Sequence, residues 1–201
     1  MRDVGAGNHR RVVAFDGLAR CDGCGARLDT PSLMIDEAQR AALRREAEER
    51  AALFQAIGEF IFEFSQLEFT IRHALGAALD LRDDTLFDAV TSPYDFAALC
   101  RVTDTVLKEA FKGDEHAASH VEIDKIFRAC LAINDDRVRI VHGTWTIEGG
   151  ARHVQRSTLK AKDYFDKPDD IVAKAHEAAD LKNGVVKILI GRPDEWPQVA
   201  V

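Results

Sequence analysis

The strongest pattern in this sequence is a run of apolar residues at helical spacing between residues 53 and 78. They recur at intervals of three and four, which is typical of an α-helix with one buried face: Leu53, Ile57, Phe60, Phe64, Leu67, Ile71, Ala74 and Ala78. The preceding stretch, from Ile35 to Arg50, is rich in Ala, Arg and Glu, which are good helix formers. We therefore predict one long helix from Ile35 to about Leu81, solvated in its first part.

Glu68 lies at the margin of this apolar stripe, where Phe54, Ile61 and Leu75 would otherwise continue at seven-residue steps. A carboxylate in that position costs free energy unless it is paired or in water. Two interpretations stay open. Glu68 either reaches solvent at the edge of the stripe or supports a polar cluster elsewhere in the fold.

Further helices are predicted by caps and periodicity. Asp83 begins a short helix through about Val90, and Ser92-Pro93 has the form of an N-cap followed by a first-turn proline. That helix runs to Phe111 and ends at Gly113. Asp114 caps the next one, which ends before Gly143, and the last helix begins at Pro168 and runs to about Leu181. Asn183-Gly184 either ends or only bends it, and residues 185–190 are more helix or a short strand, of which we favour helix.

A short β-hairpin is predicted after Gly143. Residues 144–147 alternate, a Gly-Gly turn follows, and the stretch from Arg152 to Leu159 has the alternation of a return strand. The fold class is therefore mainly all-α, with a small hairpin after the fourth helix.

The ends of the chain differ from this domain, which covers residues 34–190. Residues 1–33 are glycine-rich and without a period, and residues 191–201 form an irregular tail. Cys21 and Cys24 flank a tight turn in the form of a zinc knuckle, with His9 as a further ligand candidate. A tetrahedral site needs four ligands and no second cysteine pair follows, so a flexible segment without zinc or any other cofactor is the alternative.

Composition limits the class of protein. The chain is 46% hydrophobic and 30% charged, which is globular, and its net charge of −7 argues against attraction to nucleic acid over the whole surface. No apolar run approaches the roughly 20 residues of a membrane span, and the N-terminus has no hydrophobic signal core. We expect a cytoplasmic protein that is not in a membrane, with Cys100 and Cys130 as buried thiols.

Candidate chemistry is concentrated between Asn134 and Trp145, at the end of the fourth helix. The apolar row of that helix continues to Asn134 and Arg137, so polar groups occupy core positions and need partners, water or a ligand. Arg137 and His142 lie about 140° apart on an ideal helix. Either the last turn loosens before Gly143, or a two-fold partner brings these groups together.

Imidazole and guanidinium groups suit RNA cleavage without a metal ion. Histidine titrates near neutral pH and serves as a general acid or base, while arginine binds phosphate oxygens through a planar fork of donors. His142 would move the proton of a 2′-hydroxyl that attacks phosphorus, and Arg137 would stabilise the added negative charge. The supporting candidates are Asn134, Glu68, Asp136 and Thr144.

A basic row is predicted on the return strand, where Arg152, Arg156 and Lys160 share one face. A track for RNA phosphates is one interpretation. A charged edge strand that resists aggregation is the other.

The segment Arg137-Val-Arg-Ile-Val-His142, followed by Gly-Thr-Trp, resembles the Arg-x4-His motif of the HEPN superfamily. Phe64-Ser-Gln-Leu-Glu68 on a preceding long helix agrees with it, and the resemblance covers residues 50–190. It implies an up-and-down helical bundle, a homodimer with facing Arg/His sets, and RNase activity of the kind found in defence and toxin systems. An antitoxin or another protein partner is not indicated by the residues themselves.

Two positions depart from the family. Val138 follows the arginine, where an asparagine or another polar residue is frequent, and Thr144 stands where toxin-type members often have tyrosine. These departures favour a second hypothesis, a non-catalytic HEPN-like module for dimerisation or for RNA or protein binding, in which Arg137 pairs with Glu68 or Asp136. A third is an unrelated helical protein with a polar helix end.

Overall fold

The computed structural model describes residues 36–111, 116–145, 150–154, 161–165 and 167–191. The chain divides into two units, Met1–Arg44 and Arg45–Val201. The hydrophobic core and every candidate site residue that the structure describes belong to the second unit.

The fold is mainly α-helical with a small antiparallel sheet, which confirms the predicted class. The described elements are α1 (Glu37–Ala78), α2 (Asp84–Thr91), α3 (Phe96–Ala110), α4 (Ala117–His142), β1 (Thr144–Trp145), β2 (Ala151–Val154), β3 (Ala161–Tyr164) and α5 (Pro168–Ile190). Helix α4 packs against both α3 and α5, and β2 contacts α4. The sheet therefore lies beside the helix that carries the Arg/His motif.

The core is built from the apolar rows that the sequence predicts. On α1 the fully buried members repeat at helical spacing, and they meet the buried faces of α3, α4 and α5: Phe60, Leu67, Ile71, Leu75, Leu99, Leu107, Ile123, Ile133, Ile171 and Val185. Burial of such rows provides most of the stability of a helical domain.

The start of α3 differs from the prediction. Ser92 is the C-cap of α2, and Pro93 lies in the turn that follows. Asp95 caps α3 instead, because its backbone is extended and its carboxylate accepts a hydrogen bond of 2.7 Å from the Ala98 N–H. Asp83 caps α2 as predicted, accepting from the Leu86 N–H.

The sheet has one strand more than the predicted hairpin. β2 pairs with β1 on one side and with β3 on the other, both antiparallel. A single return strand from Arg152 to Leu159 was predicted. The described part of β2 ends at Val154, and a separate strand, β3, begins at Ala161. Periodicity over so few residues does not distinguish one strand from two.

Gly143 joins α4 to the sheet at a very close approach. Its N–H donates to the Arg139 carbonyl and ends the helix, as predicted. A Cβ at this position would lie inside van der Waals contact with that carbonyl oxygen and 3.0 Å from the Ala151 Cβ. The indole N–H of Trp145 donates to the Ile140 carbonyl at 2.9 Å, which satisfies another acceptor at the helix end.

We expect Gly143→Ala to lower the free energy of unfolding by about 1–3 kcal/mol, because the added methyl group would overlap the Arg139 carbonyl oxygen and crowd the Ala151 side chain of β2. Urea denaturation followed by circular dichroism measures this loss. Gly191→Ala is the matched control, because Gly191 also follows a helix and a Cβ built there would lie no closer than 3.4 Å to another atom. Equal stability of the Gly143→Ala chain and the wild type would contradict the close approach.

Cys100 on α3 and Cys130 on α4 are fully buried, as predicted. A hydrogen bond between the two thiols, together with burial, raises the pKa of Cys100 far above the usual range. The two sulfur atoms thus contact each other between two core helices, away from solvent.

Candidate functional site

Helix α4 remains α-helical through His142. The prediction that its last turn loosens before Gly143 is therefore wrong. On a regular helix Arg137 and His142 lie about 140° apart and about 7.5 Å apart along the axis. One copy of α4 does not turn both side chains toward the same phosphate group.

Arg137 lies half-buried with its guanidinium carbon 5.9 Å from the centre of the Phe64 ring. This distance is within the range of a cation–π contact. No hydrogen bond or ion pair joins Arg137 to another residue in the part of the chain that the structure describes. Its donors are therefore left for a ligand or for water.

The two carboxylates proposed as partners of Arg137 bind elsewhere. Glu68 accepts a hydrogen bond of 2.5 Å from Arg72 on the same helix. Asp136, whose side chain is 13% exposed, pairs with Arg139 at 2.6 Å and with Lys174 of α5 at 3.0 Å. The structure does not bring either carboxylate to Arg137, so the pairing in the second hypothesis is not observed.

Asp136 and Lys174 tie α4 to α5 beside the motif. Burial opposes the charge of Lys174, but hydrogen bonds from its ammonium group to Glu177 and Asp136 outweigh burial and raise its pKa above the usual range. Arg139 and Lys174 together neutralise the negative charge of Asp136. Asp136 is therefore already paired and does not neutralise Arg137, the next residue.

The raised pKa of Lys174 predicts a pH-dependent contribution to stability. The folded chain binds this proton more tightly than the unfolded chain, whose lysines titrate near pH 10.4. The contribution is therefore complete below about pH 10 and is lost as the pH rises through the folded pKa.

We expect the difference in unfolding free energy between the wild type and Lys174→Met to be constant from about pH 6 to 9 and to shrink above about pH 10.5. Urea titrations at each pH measure it. Lys187→Met is the control on the same helix, because Lys187 is exposed and has no ion pair among the described residues. A difference that stays constant to pH 11.5, roughly one unit above the usual lysine value, would argue against the paired ammonium.

The other predicted residues are separated along the motif. His142 is exposed at the last position of α4, and Thr144 is exposed in β1. Asn134 is half-buried two turns before His142. Among the described residues, none of these three side chains has a hydrogen bond that would fix its orientation.

The sheet brings one predicted RNA-binding residue to this end of α4. Thr144 and Arg152 are paired positions in β1 and β2, so both side chains point to the same exposed face. Asp163 of β3 is paired with Arg152 on its other side. Arg156 and Lys160 lie outside the described residues, and Lys162 belongs to β3 on the opposite face from Arg152.

A pair of cations beside the ring of Tyr164 was not predicted. The guanidinium carbon of Arg139 and the ammonium of Lys162 lie 4.7 Å and 5.0 Å from the centre of the Tyr164 ring. The spacing of three between Asp136 and Arg139 is typical of an ion pair on one helix. That spacing gave no sign of Tyr164, because that contact depends on the third strand.

No group of three or more His, Cys, Asp or Glu side chains that could hold a metal ion is found among the described residues. Cys21 and Cys24 lie outside that part of the chain, and zinc binding by them stays a prediction. None of the described helices is both long enough and apolar enough to cross a membrane.

Comparisons of the chain with protein-family models, with curated proteins and with solved structures each gave no match.

Proposed function

We propose that this chain is an endoribonuclease of HEPN-like type that needs no metal ion and whose site is shared by two copies of the chain. The observation that carries the proposal is the half-buried guanidinium of Arg137, which has no ionic partner among the described residues, while Glu68 and Asp136, the two carboxylates considered as its partners, are paired with other cations. A retained, unneutralised arginine on a core row is suited to an anionic ligand.

The reaction class follows from the side chains at the end of α4. A 2′-hydroxyl attacks the adjacent phosphorus, the new 2′-oxygen–phosphorus bond forms, and the bond to the 5′-oxygen breaks. His142 takes the proton of the 2′-hydroxyl or returns one to the leaving 5′-oxygen. Arg137 stabilises the negative charge that builds up on the phosphate oxygens.

A second copy resolves the geometry of α4. Because α4 is regular through His142, the two side chains of one copy diverge by about 140°. In a two-fold assembly the set from one copy faces the set from the other, and one cleft then contains both residue types. Arg152, beside Thr144 on the exposed face of the sheet, adds positive charge near the same helix end.

The defining experiment uses the purified full chain and a labelled single-stranded RNA. We expect cleavage that persists in excess EDTA and that leaves a 2′,3′-cyclic phosphate. An RNA of the same sequence with 2′-O-methyl groups should stay intact, because the attacking hydroxyl is blocked. Cleavage of the methylated RNA, or no cleavage of either RNA, would overturn the proposal.

A second candidate function is a HEPN-like module that binds or dimerises without catalysis. It is favoured by His142, which has no orienting hydrogen bond to another described residue, whereas a general base is normally held by a third group. Specific RNA binding without cleavage would support this module.

A further inference from the structure

Helix α1 is apolar on two opposite sides, and only one of them faces the core. The second side, here called the outer row, has four large apolar side chains exposed by 65%, 38%, 59% and 58%, with two small residues between them: Phe54, Ile61, Phe62 and Phe69, and Gly58 and Ser65. The centre of this row lies about 150° around the helix from the buried row. Clustered exposure of this kind marks an interaction surface more often than a solvated face.

The outer row has no charged member between Phe54 and Phe69. Two acidic residues of this part of α1 point to α5, since Glu63 pairs with Lys182 at 2.9 Å and Glu59 lies 3.8 Å from His176. The row is thus separated from the face that binds α5.

The next residues along the same side of α1 are already covered. Gly76 continues the row, and α2 packs there so closely that a Cβ on Gly76 would lie 2.5 Å from the Phe87 ring. The fold therefore buries this side of α1 wherever α2 reaches it. The exposed part, from Phe54 to Phe69, is about 22 Å long.

We propose that a second copy of this chain covers the outer row through an antiparallel α1–α1 contact. The row reads as a palindrome whose centre lies between Ile61 and Phe62. About a two-fold axis at that point, Phe54 of one copy is opposite Phe69 of the other, and Ile61 is opposite Phe62. Gly58 is then opposite Ser65, so small residues meet where the helices need to approach closely.

The available area fits this occupant. Three phenyl groups, each about 60% exposed out of roughly 200 Å², offer about 350 Å² on each copy. A standard interface buries about 800 Å² per partner, with an apolar centre and a polar rim. Gln55, which is exposed, and Gln66, which is half-buried, border the row and supply such a polar rim. Helices that pack at a shallow angle of about 20° keep contact over this length.

This inference does not rest on the proposed ribonuclease function. The outer row lies about 120° around α1 from Phe64, the residue beneath Arg137. The α1 contact is therefore a second interface, distinct from the one that would form the shared Arg137/His142 cleft, and its loss should leave RNA cleavage unchanged.

The first test is the mass of the full chain in solution, measured by sedimentation equilibrium. We expect a dimer linked through α1, so the wild-type mass is at least twice 22.3 kDa, and it is higher if the shared Arg137/His142 cleft forms through a separate contact. Phe62→Glu places a charge beside the axis in both copies and should raise the dissociation constant about 100-fold or more. Val121→Glu on α4 is the matched control, because Val121 is 68% exposed and lies outside the row; it should leave the dimer unchanged.

The second test fixes the register. In a chain with Cys21 and Cys24 replaced by serine, Gly58→Cys together with Ser65→Cys should form a cross-linked dimer under mild oxidation. These positions lie about 10.5 Å apart along one helix, too far for a disulfide within one copy, but they face each other across the axis. Gly58→Cys together with Gln66→Cys shifts one thiol out of register and should cross-link at least about tenfold more slowly.

A monomer at concentrations up to about 100 µM would overturn the proposal, whether the row is bare or covered by residues 1–35 of the same chain. A mass that Phe62→Glu leaves unchanged from the wild type, or equal cross-linking by the two cysteine pairs, would also overturn it.

Discussion

Replacing His142 with alanine is expected to slow RNA cleavage by a factor of about 10²–10⁴, the usual contribution of a positioned general acid or base. His142 is the only residue of the Arg137–His142 motif whose side-chain type commonly transfers protons in catalysis. Initial rates with a labelled single-stranded RNA measure the loss. The change should not affect folding, because His142 is exposed and has no hydrogen bond to another described residue.

The matched control for this variant is His176→Ala. His176 is also exposed on a helix, but it lies on α5 near Glu59, away from the motif. Its loss should leave the rate within about twofold of the wild type. If the His142→Ala chain cleaves as fast as the wild type, then His142 is not the proton-transfer group and trace contamination becomes the explanation for any activity.

Arg137→Lys refines the interpretation. Lysine keeps the positive charge but has no planar fork of donors, so a phosphate bound through two oxygens should be held less well. We expect a lower rate than in the wild type with unchanged stability, since Arg137 contributes no ion pair within the described chain. A variant that unfolds would indicate that the contact with Phe64 is mainly structural.

Replacing Arg72 with methionine is expected to lower the free energy of unfolding by about 2–4 kcal/mol. Arg72 donates to the carbonyl of Thr91 at the end of α2, to the carbonyl of Tyr94 at 3.2 Å, and to Glu68 at 2.5 Å. Methionine fills similar space but leaves three acceptors without a donor. Thr91 is 1% exposed, so water does not readily replace the lost bond.

Urea denaturation should show this loss as a lower midpoint with an unchanged slope. Arg82→Met is the matched control, because Arg82 also has a carboxylate partner, Asp80 at 2.7 Å, but that pair is exposed at the surface. The control should leave stability unchanged within error. Equal effects of the two substitutions would mean that Arg72 does not connect α1 to the segment between α2 and α3.

Much of the helical fold could be predicted from the spacing of apolar residues alone. The buried row of α1 follows from periodicity over several turns, where many residues repeat the same signal. The sequence left the continuation of α5 past Gly184 open between helix and a short strand, and the structure has one helix to Ile190. The start of α3 was missed because Ser92 and Asp95 both have good N-cap side chains. The choice between them depends on the backbone of the turn between α2 and α3, which sequence spacing does not determine.

The candidate site was accessible only in part. The sequence identified Arg137 as a polar residue on a core row, and the structure places it half-buried over Phe64. A pairing of Glu68 with Arg72, four residues later, was readable on one helix. The bonds from Arg72 to the Thr91 and Tyr94 carbonyls were not, and neither was the pairing of Asp136 with Lys174, since these contacts join separate elements.

The reactivity of the thiol pair between α3 and α4 measures how often these two helices separate. Because the pKa of Cys100 is strongly raised and both sulfur atoms are buried, neither thiol should react with an alkylating reagent while the helices are packed. Their labelling rate therefore counts excursions that separate α3 from α4. The alkylation rate can be compared with and without RNA in a chain lacking Cys21 and Cys24. A lower rate with RNA would show that a ligand at the C-terminal end of α4 stabilises the packing of this helix against α3.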